Sequence, residues 1–163
     1  MAESALDILN SFLAQFGLPA SLGTWAEEML RNPEMTADRV IMELRNRPEY
    51  LARFPAMAEL SKRGQAISEA EYVEYERSVA TLAQQYGMPG EMFGREYVRD
   101  MLLADVSARE FEERIGLASE ASKTAPAEVR QAFASMYGLG SEGALTAYFL
   151  DPDEALPTIQ RLV

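Results

Sequence analysis

The chain has 163 residues, with 26 acidic and 15 basic side chains and a formal charge of −11. A balance of that sign repels phosphate backbones unless the cations gather on one face, and the densest basic run, Arg45, Arg47 and Arg53, is interleaved with Glu43 and Glu49, so no direct nucleic-acid contact is expected. Neither Cys nor His occurs. This excludes disulfides and zinc-thiolate staples and removes the commonest general base, metal ligand and partner of a serine nucleophile.

The remaining composition, 48% apolar and 25% charged, is that of a globular chain able to bury roughly 68–70% of its unfolded surface in one core or two small ones. The start, "MAESALDILNSFLAQF", lacks the basic opening and unbroken apolar block of a secretory signal, and no apolar run has the length of a membrane span. A protein made in the cytoplasm, free or in a particle assembled there, is expected, with no membrane partner.

Strand signals are nearly absent and helical spacing recurs, so the fold expected is all-α, a multi-helix bundle. From Ser4, the residues Leu6, Leu9, Phe12, Leu13 and Phe16 follow a three-and-four spacing. Gly17 then ends the helix, because glycine takes the left-handed C-terminal conformation without steric cost. A second helix is predicted from about Ser21 to Arg31, halted by Asn32 and Pro33, and a third from Thr36, with Met35 and Val40 as a hydrophobic staple.

Residues 47 to 66 read as an irregular connector in which Pro48 and Pro55 each open a short helical turn and Gly64 closes the segment. The longest helix starts at Ser68 and Glu71, spaced as a capping box between Ile67 and Tyr72, and ends at Gly87; Ser107 and Glu110 repeat the same signal between Val106 and Phe111. A helix from about Met92 to Leu103 lies between them. After a polar link at "SEASKTAP", helices from about Pro126 to Tyr137, Ser141 to Leu150 and Pro152 to Leu162 complete the chain. As a domain organisation, this predicts one helical domain over 1–163, divisible into a first unit at 1–46, the connector at 47–66, and second and third units at 67–163.

"QFGLP", "QYGMP" and "MYGLG" at residues 15, 85 and 136 repeat one phrase: aromatic, glycine, aliphatic. The aromatic closes an inner stripe, Gly17, Gly87 or Gly138 reverses the chain, the aliphatic covers the stripe's end, and Pro19 or Pro89 prevents the helix resuming. Two or three similar helix, glycine turn, helix units follow from this spacing, whether by internal duplication or as two routine ways of writing a helix hairpin.

Sharper motifs fail on context. "GLGSEG" at Gly138 to Gly143 matches the dinucleotide fingerprint in letters, but a helix precedes it and no βαβ unit surrounds it. "DPDEALPTIQRL" opens like a calcium loop, yet Leu156 stands where glycine is required and Leu162 where a bidentate Glu should be; a capping Asp151 is simpler. Pairs such as Glu27/Glu28 and Glu112/Glu113 are what acidic helices present by default. No catalytic, cofactor-binding or metal-binding residue and no small-molecule substrate is therefore expected. The apolar side chains Trp25, Tyr50, Phe54, Met57 and Leu60, in and beside the connector, are the candidate partner-binding residues, against the plainer reading that they pack the connector onto the bundle.

The run "RNRPEYLARFPAMAELSKRGQAISEAEYVEYERSVATLAQQYGMPGEMF", with the later "DVSAREFEERI" and "AYFLDP", resembles a type of virion-associated minor structural protein encoded by tailed phages of actinobacteria, over most of residues 45 to 152. The resemblance implies a non-catalytic component of the tail, the head interior or the head-to-tail region, located in the virion and bound to other virion proteins in symmetric multiple copies. The alternative function is an acidic regulatory module that occupies a basic nucleic-acid site on a partner; a His-free hydrolase using carboxylates ranks last.

Overall fold

A computed structural model describes residues 4–137 and 142–162, and among these every regular element is helical. The chain divides into two compact units, one reaching from the N-terminus to Val73 and the other from Glu74 onward. The first unit therefore takes in the connector that the sequence reading set apart at 47–66.

In the first unit, α1 (Ala5–Gln15), α2 (Ser21–Met29) and α3 (Ala37–Leu44) pack on one another. Leu9, Ala26 and Val40 form the buried contact, widened by Trp25, Met29, Leu30, Met35 and Ile41. The short α4 (Pro48–Arg53) and α5 (Met57–Lys62) follow. Pro48 occupies the first turn of α4 as expected, but Pro55 lies in the turn before α5 and not within it. That turn is pinned from a distance: the Ala56 N–H donates to the Tyr72 phenol oxygen at 3.1 Å.

The helix α6 (Glu69–Gln85) begins in the first unit and continues into the second. There it is followed by a 3-10 turn at Gly90–Phe93, α7 (Arg95–Leu103), α8 (Ala108–Thr124), α9 (Ala127–Tyr137), α10 (Glu142–Leu150) and α11 (Pro152–Leu162). Gly94 splits the single helix expected from Met92 to Leu103. The polar link expected at "SEASKTAP" is mostly helix: α8 runs to Thr124 because Ser119 and Ser122 face inward and are covered. These small residues, with Gly143, Ala144 and Ala147 buried on α10, let α8 and α10 pack closely, and the Ser122 hydroxyl donates to the Glu142 carbonyl at 3.3 Å.

Gly17 and Gly87 adopt left-handed φ values of 66° each. At both, the glycine N–H and the following N–H return to the last helical turn: Leu18 N to Leu13 O at 2.9 Å, and Met88 N to Ala83 O at 2.9 Å. Leu18 and Met88 are buried over the stripe ends, the hydrophobic contact of this C-terminal motif. Pro19 and Pro89 follow outside the helices. Gly138 lies outside the described residues.

Candidate functional site

Four of the five residues singled out for partner binding are interior. Tyr50, Phe54, Met57 and Leu60 are buried in the first unit, where the Phe54 ring contacts Phe16, Tyr50 and Tyr72 at centroid distances of 6.5, 5.0 and 5.0 Å. Their surface is taken up by their own unit, so the packing account describes them. Trp25 is half-buried, and the Arg47 guanidinium lies 5.3 Å from its ring centroid. Arg53 stacks on Phe54 at 4.6 Å and donates to the Phe16 carbonyl at 3.0 Å, satisfying an acceptor at the end of α1.

The capping residues hold their helices. Glu71 N–H donates to Ser68 Oγ at 3.1 Å, and the Ser68 hydroxyl in turn meets the Glu71 carboxylate at 3.2 Å. Glu110 N–H donates to Ser107 Oγ at 3.0 Å, while the Glu110 side chain turns to Arg114 at 2.8 Å instead of closing a box. A complete reciprocal box stands at Ser4 and Asp7 on α1.

A polar cluster stands at the first turn of α6. Buried Glu69 accepts from Arg45 Nε at 2.7 Å and from the Tyr50 hydroxyl at 2.9 Å. Burial opposes its charge, but hydrogen bonds from Arg45, its own backbone and Tyr50 outweigh burial and hold the carboxyl below the usual carboxylate range. The Tyr50 hydroxyl is pushed up, by burial first and then by Glu69. All three groups satisfy one another, which describes a structural clasp.

In the second unit, Tyr97 borders a depression of about 180 Å³ that also holds Asp100, Arg114, Asp151 and Glu154. Burial, followed by the charges of Asp151 and Glu154, raises the Tyr97 hydroxyl above its ordinary value. It stays protonated at neutral pH. Asp151 accepts the Glu154 N–H at 3.3 Å, the N-cap role read from "DPDEAL". Tyr75 is likewise raised, to about 12, chiefly by burial, and its hydroxyl is engaged by the Val106 carbonyl at 2.6 Å. Among the described residues, no group of three or more carboxylates is placed to hold a metal ion.

Apolar surface remains elsewhere. Leu117 on α8 is 74% exposed and Met42 on α3 64%, with Ile8, Val129 and Phe149 also in water. Leu117 and Phe149 belong to one feature, an open groove of about 340 Å³ between α8 and α10, lined by Arg114, Leu117, Ala118, Ala121, Phe149 and Leu150. Sequence reasoning missed it, although a signal was present. The inner stripe of α8 is Phe111, Ile115, Ala118 and Ser122, and Leu117 falls off that stripe.

The chain finds no match among protein-family models, curated proteins or solved structures.

Proposed function

We propose that this protein is a non-catalytic structural component of a phage particle, in the tail, the head interior or the head-to-tail region, and that it docks on other virion subunits through the outer faces of its helices. The observation that carries the reading is apolar: Leu117 and Met42, large aliphatic side chains, are left in water on outward helical faces. Single exposed apolar residues are ordinary, but Leu117 shares a groove with Phe149 and Leu150, and grouped apolar surface marks places where other proteins bind. The resemblance of residues 45 to 152 to virion-associated proteins supplies the setting. In that setting the turns at Gly17 and Gly87 are punctuation in similar helix, turn, helix units, and particle symmetry multiplies individually weak contacts into stable attachment.

Mass spectrometry of purified particles from the native source tests this. The protein is expected in fixed stoichiometry with capsid or tail subunits; its absence from particles and from their assembly intermediates removes the assignment.

A further inference from the structure

We propose that the groove between α8 and α10 receives an amphipathic helix from a partner protein, whose apolar anchors are flanked by Lys or Arg. The proposal rests on the reading that this protein docks through helical faces, and adds the surface and the chemistry of the occupant.

The floor of the groove is apolar and its walls are helices, the form that takes the apolar face of another helix through anchors spaced about one turn apart. Leu117 projects at the rim with 74% of its surface exposed, and Phe149 on the opposite wall with 39%. Charge decides what surrounds such anchors. Glu113 and Glu120 lie four residues before and three after Leu117, which places them on its face of α8, one turn to either side. Glu110 lies two turns before Leu117 on that same face. Arg114 on the same stretch is already engaged: it pairs with Glu110 at 2.8 Å and also lines the depression holding Asp151 and Glu154. Glu113 meets only the highly exposed Arg109, at 3.6 Å, and Glu120 makes no ion pair among the described residues. Of the three carboxylates, Glu110 and Glu113 are paired with Arg114 and Arg109, so the Glu120 charge is left over beside the apolar strip and favours a basic rather than an acidic flank on the occupant.

Size and charge argue against a second copy. A standard interface buries about 800 Å² on each partner, far more than a few side chains lining one groove provide, and a second copy brings another charge of −11. The same acidic rim disfavours an anionic membrane.

The probe is a fluorescein-labelled model helix with Leu anchors along one face and Lys on its flanks, compared with a matched peptide bearing Glu in place of Lys. Binding to the full chain is read by fluorescence anisotropy. The Lys peptide is expected to bind saturably and the Glu peptide not to bind. Leu117→Ser is expected to weaken the Lys peptide by about tenfold, because a large exposed aliphatic side chain no longer gives the partner apolar surface to cover. The double variant Glu113→Lys/Glu120→Lys is expected to lose the Lys peptide and gain the Glu peptide. Circular dichroism melts confirm that each variant is folded. Equal binding of both peptides, or binding indifferent to Leu117→Ser, overturns the proposal. So does a self-association in sedimentation equilibrium, or an attachment to phosphatidylserine vesicles, that Leu117→Ser abolishes. Absence from phage particles together with discriminating peptide binding leaves the groove standing and removes the virion setting; presence in particles with no peptide bound removes the groove alone.

Discussion

Gly143 sits where α10 passes the turn that ends α6, and a Cβ built on it would overlap the carbonyl group of Gly87. The two glycines serve different needs. Gly87 requires freedom of φ, at 66°, while its own added Cβ would meet only the Gly143 Cα at an ordinary 3.9 Å. Gly87→Ala should therefore cost about 1–2 kcal/mol, the left-handed penalty. Gly143→Ala forces backbone apart in a packed interface and should cost about 3 kcal/mol, with urea unfolding midpoints separating the two. A small enough side chain at Gly143 would have looked neutral from the sequence, where this glycine was only the last letter of "GLGSEG". Its packing partner lies far away along the chain, and no local pattern announces it.

At the scale of elements, the helix starts were the most legible part of the sequence. Thr36 caps α3 through the Arg39 N–H at 3.3 Å, and Ser68 and Ser107 cap α6 and α8, because capping needs only residues three apart. C-terminal turns were legible where glycine marks them. They were not at Asp105, which takes φ 58° and returns the Val106 N–H to Met101 at 3.0 Å without any glycine. What stayed hidden was cover. Tyr50, Phe54, Met57 and Leu60 spell an apolar connector face, but whether that face meets water depends on Phe16 and Tyr72, which the fold brings from other elements. The Glu69 clasp was hidden for the same reason, and it has a pH signature. Its folded-state carboxyl lies below the ordinary value of 4.5, so its contribution is fully present above that value and is lost as pH falls through the folded one. Glu69→Gln should lower stability by about 2 kcal/mol near neutrality, where a charge-assisted bond is lost. The gap from the parent protein should narrow in denaturation at strongly acidic pH.

For the molecule as a whole, each unit carries its own aromatic contacts: Phe16, Tyr50, Phe54 and Tyr72 in the first, and Phe93, Tyr97 and Phe111 in the second. The outward residues proposed for docking stand apart from both sets. Leu117→Ser should then leave unfolding free energy within about 0.5 kcal/mol of the parent, as a surface change does. Phe111→Ala, at a site 1% exposed, should cost about 3–5 kcal/mol. Denaturant titrations of the two variants distinguish a residue kept for folding from one kept for contact, and an equal loss in both would place Leu117 in the core.

One consequence follows from α6 being shared. The division between the units, at Val73 and Glu74, falls inside a continuous helix, where the backbone is coiled and cannot stretch through a protease cleft as an ordinary interdomain tether does. A serine protease that cuts after arginine should instead nick the chain first at Arg63, where α5 ends in the solvent-exposed stretch before Ser68. Digestion would then divide the first unit and leave α6 uncut at Val73 and Glu74.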